Sequence, residues 1–578
     1  MKVALFTIVT LLSFITSFSQ EKKESKLTKA DRLYEKYAYS EFIRVYEGVA
    51  ERGFKSVDLF GKLGDAYLFN SDFDRANKWY TELFALEGDK EPIYYYRYSQ
   101  TLKSVGDIGK AVSYFEQFSR LDGNDMRVKN YKNNHGDLSE IADYSDCYLI
   151  EDVGINSSFS DYGLTVYHDK AVFTSSRKPE NGKNMKDSWT SDYYTSLYWA
   201  ALSKEGSLSE VQTFAKEVQG DYHESSPVFT KDGKTMYFAG NDVAKRKSAA
   251  VSAVVLKIYK ASLIDGQWKD IVVLPFNNDF YSCTHPALSP DEKTLYFVSD
   301  MPGGFGDSDL YEVSVGNNGA TYGSPVNLGA IVNTSGKETF PYLNTDGRLY
   351  FASNGHLGLG GLDLFVTDVK KGPVFSSVLN LGAPLNSSFD DFNYVKLDNS
   401  KIGFFSSNRE GGKGKDDIYR FKEIKSIIIE EPNVIVSRDD LIAPESSLSD
   451  FVFDLNQDLG KYLNLENIFL NWGEYKITHD LEIEFQKIIM LMKIIPSLKI
   501  QIIGHTDSTG PAVYNMKLSN QRANAAMDYF VANDVARDRI TTKGYGETLL
   551  INKCSDGVKC SEAEHRINRR IEFIVTEK

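Results

Sequence analysis

Cysteine, histidine and tryptophan are all scarce in this chain, and it has no basic excess: 578 residues hold 4 Cys, 8 His and 5 Trp, with 66 Lys and Arg against 80 Asp and Glu. A nucleic-acid binder needs a basic footprint to neutralise phosphates, and a net charge of −14 with no basic block at domain scale excludes that class. The histidines stand singly, so no His-Glu-x-x-His helix exists, and no Gly-x-Ser-x-Gly elbow presents a nucleophile. His168, His223, His285 and His356 fall among strand and turn patterns, where packing or turn roles suit them better than catalysis. A zinc site wants four ligands, and the close pair Cys554 and Cys560 has only His565 beside it. These absences point to a protein that is not an enzyme, with no metal and no cofactor. After residue 20 no apolar run approaches the roughly 20 residues of a spanning helix.

The N-terminus has the pattern of a secretory signal. Lys2 precedes the apolar run Val3–Phe18, and Ser17 and Ser19 set small residues for cleavage before Gln20, so residues 1–19 are expected to be removed. No cysteine lies near that point, which excludes a lipid-modified N-terminal Cys. Export makes a local bridge between Cys554 and Cys560 the expectation, in the loop Cys554-Ser-Asp-Gly-Val-Lys-Cys560; Cys147 and Cys283 are expected as buried singles. At this length one core does not suffice, since single cores stop growing at roughly 250–300 residues.

Residues 28–140 show helical periodicity with an internal repeat. Leu63, Gly64, Tyr67, Ala76 and Tyr80 recur 35 residues on as Tyr98, Ser99, Leu102, Ala111 and Phe115, and Ala30, Leu33, Phe42 and Tyr46 form a weaker earlier copy. Small residues allow paired helices to approach, and aromatics fill the grooves between them. The region resembles tetratricopeptide repeats, without their Trp and Pro positions, and the resemblance implies a stacked surface that binds peptides or proteins. The alternative is a helical cap on the next domain.

From 148 to 422 short strands alternate with Gly, Asn, Asp and Pro turns. Leu295-Tyr-Phe-Val-Ser299 recurs as Leu349-Tyr-Phe-Ala-Ser353 and Gly403-Phe-Phe-Ser-Ser407, each 54 residues on, and the strand heads Asp309, Asp363 and Asp417 keep the same spacing. Weaker copies at 231–238 and 168–173 bring the count to five, and a sixth could draw on 147–162 and 376–385. Such a period fits a four-stranded propeller blade. The region resembles the WD40-like Pro-Asp repeats of TolB-type periplasmic propellers. The clusters Gly303-Gly-Phe-Gly306, Gly358-Leu-Gly-Gly361 and Gly411-Gly-Lys-Gly414 lead into strands rather than helices, so turns between strands account for them better than phosphate loops.

Residues 423–448 suggest a linker, followed by a terminal domain over 449–578. There the strand pattern Leu498–Ile503 turns through Gly504-His-Thr-Asp507 into a helix expected at roughly 512–533. Asn515, Ser519 and Arg522 stand at i, i+4 and i+7, on one face beside the strand end that holds Asp507. Asn568-Arg569-Arg570 precedes a terminal strand Ile571–Val575. An acid, amides and guanidinium groups converging at one strand end suit a zwitterion, Asp507 taking an ammonium group and Arg522 a carboxylate; the alternative is a salt bridge between Asp507 and Arg522 that only staples the domain.

These motifs, with Leu518-Ser519, Ala523 and Gly544-Tyr-Gly-Glu547, resemble the OmpA-like peptidoglycan-binding family in order and spacing. Two departures are Phe469-Leu-Asn-Trp472, where Phe-Asp-Phe is usual, and the long loop of Cys554 and Cys560. The resemblance implies an α/β sandwich that binds the diaminopimelate-containing stem peptide through Asp507 and Arg522, with Asn515, Asn568 and Arg569 adding hydrogen bonds. The fold class expected is therefore multidomain α + β: a helical repeat domain, an all-β propeller and an OmpA-type α/β sandwich. The order resembles Bacteroidetes envelope proteins tied to type IX secretion and gliding. It implies a periplasmic scaffold, with no membrane span, that tethers an outer-membrane complex to the cell wall through its repeats and propeller. The alternatives are a periplasmic receptor for a glycan or peptide in the propeller, or a propeller hydrolase.

Overall fold

A computed structural model of the chain describes residues 30–133, 141, 143–178, 185–220, 222–241, 255–316, 319–369, 378–425, 458–459, 477, 481, 485, 488–489, 491–492, 495, 497–533, 535–556 and 558–577. The signal segment, most of the expected linker and Phe469–Trp472 lie outside them. The chain divides into two compact units, Met1–Leu441 and Ile442–Lys578. Among the described residues no helix is long and apolar enough to cross a membrane.

Among the described residues the first unit opens with a helical stretch over 30–35, followed by helices Tyr39–Ala50, Val57–Leu68, Phe73–Phe84, Pro92–Ser104, Ile108–Leu121 and Met126–Asn133. The 35-residue repeat is visible in their caps: Asp72 accepts from Arg75 N and Asp107 from Lys110 N, each starting the second helix of a pair. Ala76 and Ala111 are buried where the helices cross. Gly64 faces Tyr80 so closely that a Cβ there would lie 2.4 Å from the ring. The first copy therefore takes Gly opposite Tyr, where the second has Ser99 and Phe115 at the corresponding positions.

Among the described residues five antiparallel sheets follow, four of them meanders of consecutive strands whose first strands are Asp161–Tyr167, Glu224–Phe229, Cys283–Leu288 and Glu338–Leu343. The fifth runs Asp391–Lys396, Ile402–Ser407 and Asp417–Glu423, and is completed by Tyr148–Asp152, the earliest strand in the chain, with Tyr148 opposite Glu423. Leu379–Asn380 is the outer strand of the fourth sheet. The segments that sequence offered to a sixth sheet thus finish the fourth and fifth. The first strands meet in succession, second against first, third against second, fourth against third, fifth against fourth, and fifth against first.

The second strands carry the 54-residue motif and are buried along nearly their whole length, with Phe297, Phe351 and Phe404 fully enclosed. Each Gly cluster wraps the Asp that heads the third strand. Backbone N–H groups of Phe305 and Gly306 donate to Asp309, those of Leu359 and Gly360 to Asp363, and those of Lys413 and Gly414 to Asp417. A Cβ on Gly304, Gly358 or Gly412 would lie 2.4, 2.1 or 2.1 Å from those carboxylates. The amides a phosphate would need are already taken.

The helices pack directly on the sheets: Lys103 Nζ donates to Gly358 O at 3.0 Å, Met126 N to Ser335 Oγ at 3.1 Å, and Trp189 Nε1 to Phe69 O at 3.2 Å while its ring stacks on Tyr37.

In the second unit Lys499–Gly504 is the central strand, parallel to Ile540–Gly544 and antiparallel to Ile571–Glu577. The helix Ala512–Ala532 covers the sheet through Ala523, Ala526, Met527 and Phe530, which join Phe485, Ile500, Ile502 and Phe573 in one core.

Candidate functional site

The central strand of the second unit ends at a glycine for a steric reason. A Cβ on Gly504 would sit 2.1 Å from Ser519 O, so only glycine lets the strand end meet the helix. The chain beyond it is pinned on both sides, His505 N to Arg570 O at 3.0 Å and Thr506 N to Gly546 O at 3.0 Å.

Asp507 follows, 2% exposed. Its Oδ1 accepts from Thr509 N at 3.0 Å and Thr509 Oγ1 at 2.5 Å, and its Oδ2 from Arg569 Nη1 at 2.7 Å. Asn515 donates Nδ2 to Asp507 O at 3.2 Å and to Glu547 Oε2 at 2.5 Å. Arg522 is fully buried and donates Nη1 to His505 O at 2.8 Å. Burial lowers its guanidinium to about 10, the Asp507 charge opposing and Arg569 reinforcing the shift. It is therefore protonated at neutral pH. Ser519 Oγ accepts from Gly546 N at 2.8 Å and fastens the Gly544–Glu547 turn to the same helix face.

Asn568 works as a brace: Oδ1 accepts from Ile551 N at 2.9 Å and Nδ2 donates to Asn552 Oδ1 at 2.7 Å. These bonds hold the loop closed by the Cys554–Cys560 disulfide, while Ser508 Oγ donates to Cys554 O at 2.6 Å. Among the described residues Cys554, Cys560 and Glu564 are the one cluster of metal-type ligand atoms, and with both sulfurs in the disulfide no thiolate is left to bind an ion.

The five residues chosen from sequence thus gather at one strand end, with a changed pairing. Spacing along the helix set Asp507 against Arg522; the structure brings Arg569 onto the Asp507 carboxylate, and Arg522 reaches a backbone oxygen beside it. Asn568 is turned into the disulfide loop. Thr509 and Glu547 were missed as partners. An Asp-x-Thr turn signature announces Thr509, whereas nothing local signals the Asn515–Glu547 contact across 32 residues. Two guanidinium groups, two carboxylates and an amide in so small a space can hold a zwitterion by charge-assisted hydrogen bonds.

Residues 471–564 match the OmpA family. The chain is 32% identical over 112 residues to photosystem I P700 chlorophyll a apoprotein A2 of Gloeobacter violaceus, which is 19% of this chain and 13% of that protein. It is 40% identical over 80 residues to outer membrane porin F of Pseudomonas fluorescens, 14% of this chain and 23% of the porin. With peptidoglycan-associated lipoprotein of Legionella pneumophila it shares 31% identity over 132 residues, 23% of this chain and 61% of the lipoprotein. In each case the chain spans less than two thirds of the relative. The C-terminal unit of this chain carries an OmpA-like domain.

Proposed function

We propose that the protein is a non-enzymatic scaffold of a bacterial envelope, which binds peptidoglycan through its OmpA-like domain and partner proteins through its first unit, and so tethers an outer-membrane complex to the cell wall. One observation carries the reading: Asp507, Asn515, Arg522 and Arg569 stand together at a strand end of the domain that matches the OmpA family. The diaminopimelate residue of a stem peptide carries an ammonium and a carboxylate on one carbon. Asp507 takes the first and Arg522 the second, as Arg569 gives up its hold on Asp507. Asn568 acts through the loop it braces. That one relative is named a peptidoglycan-associated lipoprotein supports the reading.

The five-sheet region is a propeller of five blades in this reading, supported by the succession of first strands and by the pairing of Tyr148–Asp152 with the last sheet. The helices of the first unit are tetratricopeptide-like repeats, supported by the caps 35 residues apart. These are surfaces on which proteins dock. A Bacteroidetes source and service to type IX secretion or gliding belong to the same reading.

The test is sedimentation of the full chain with purified diaminopimelate-type peptidoglycan. Asp507→Asn keeps the shape and an acceptor but removes the charge, and binding should fall more than tenfold, the range expected when one partner of a buried charged contact is lost. Undiminished sedimentation of that variant overturns the site; absence of sedimentation by the unaltered chain overturns the function.

A further inference from the structure

The first strands of the five sheets converge on one cavity, about 400 Å3 including the space open to solvent. Each strand contributes a residue at a bulge, and all five have left-handed backbone: Gly163 at φ 68°, Ser226 at 50°, His285 at 46°, Phe340 at 48° and Asn393 at 54°. A bulge can be built with glycine, as Gly163 shows. Four positions instead hold side chains in a conformation that L residues avoid, and all four line the same cavity.

Their chemistry is consistent. No residue lining the cavity is Asp, Glu, Lys or Arg, in a chain of net charge −14. Ser226 is 8% exposed and its Oγ has no hydrogen-bond partner. That hydroxyl lies 3.7 Å from the place where a Cβ of Gly163 would stand, and Thr174 Oγ1 lies 3.2 Å from the same place. His285 Nδ1 is 2.9 Å from Thr339 Oγ1, and burial lowers the ring to about 3, so it is neutral at physiological pH. Phe340 stacks on that ring at 3.9 Å, and Asn393 Nδ2 donates to Leu164 O at 3.1 Å.

We propose that this cavity is a binding site for a neutral sugar residue, held by Ser226, His285 and Asn393 and seated against Phe340. An ion would be desolvated there with no counter-charge. A purely apolar group would leave the Ser226 hydroxyl unpaired. A sugar ring meets both demands, since its hydroxyls donate and accept while its C–H faces lie on aromatic and proline surfaces. The proposal stands independently of wall binding by the second unit.

The probes are N-acetylglucosamine and, as the peptide alternative, N-acetylphenylalaninamide, each followed by saturation-transfer NMR with the full chain. Transfer to the sugar is expected. Ser226→Gly and Asn393→Gly relax the strained backbone, so each folds with an unchanged or higher Tm, and each should weaken sugar binding at least tenfold. Asp507→Asn should bind the sugar as the unaltered chain does. No transfer to the sugar, undiminished affinity in both glycine variants, or transfer to the amide alone each overturns the proposal.

Discussion

Asp507 and Arg569 form a buried ion pair, each side chain 3% exposed, with Arg522 beneath them. Breaking such a pair leaves a charge buried without its partner, at a cost of about 3–5 kcal/mol. Asp507→Ala should therefore lower the melting transition of the second unit, and loss of wall binding by that variant counts only if it is still folded at the assay temperature. Glu572 gives a pH handle on the same unit. His505 Nε2 lies 3.3 Å from its carboxylate, without full hydrogen-bond geometry, and Arg570 Nε donates to it at 2.8 Å. Contact with His505, then the charge of Arg570, holds Glu572 down to about 2 from an ordinary 4.5. A carboxyl lowered by folding stabilises above its unfolded pKa, and that contribution is lost as pH falls from about 4.5 towards 2. Glu572→Gln should thus cost about 1–3 kcal/mol at neutral pH and flatten the acid limb. Hydrogen exchange across Ile571–Glu577 between pH 2 and 7 reads both; an unchanged acid limb would contradict the assignment.

At the scale of elements, close approaches decide what each segment tolerates. Gly504→Ala places a Cβ 2.1 Å from a backbone oxygen, which cannot yield as a flexible side chain can. The strand and the helix Ala512–Ala532 must move apart, costing about 1–3 kcal/mol and carrying Asp507 away from Asn515. Peptidoglycan sedimentation should fall with stability in this variant although no site side chain has changed. The cysteines divide in the same way. Cys554 and Cys560 are bridged, while Cys283 is buried with its thiol pushed up to about 12 by burial and Cys147 is half-buried in the turn before Tyr148–Asp152. Since the thiolate is the nucleophile, alkylation of the native protein at pH 8 should label Cys147 first, label Cys283 only on unfolding, and reach the other two only after reduction. Rapid labelling of all four would remove the disulfide. A ring this short should contribute less than the roughly 3 kcal/mol of a 15-residue loop.

For the whole molecule, the division lies between 441 and 442. The helices are not a separate appendage, because Lys103, Met126 and the Trp189 ring tie them to the sheets within one unit. Limited proteolysis should accordingly separate a fragment near the length of the first unit from one near the second, and should not first release the helices from the sheets. In the proposed tether, the first fragment stays with outer-membrane fractions after the wall is digested and the second sediments with peptidoglycan. Early release of an intact fragment covering residues 39–133 would contradict the single first unit. A first fragment absent from the membrane fraction would remove the docking half of the proposal.

Much of this was legible in the sequence because it depends on short-range periodicity. The helix and flanking strands of the OmpA-like domain fall within a residue or two of their expected ends, since apolar spacing and the Gly504–Asp507 turn specify them locally. Asn515, Ser519 and Arg522 share a face because 3.6 residues make a turn. The 54-residue repeat marked the recurring strands for the same reason, and in the structure those strands pair with their chain neighbours. Other features were settled only by tertiary structure. Arg569 meets Asp507 across 62 residues, and Tyr148–Asp152 pairs with Asp417–Glu423 from the far end of the region. Five bulges, each unremarked in its own strand, become one cavity only when the strands converge. Hydrogen bonds between chain neighbours follow from composition and spacing, whereas which distant groups meet depends on how packed faces and open edges are closed, and no local pattern records that.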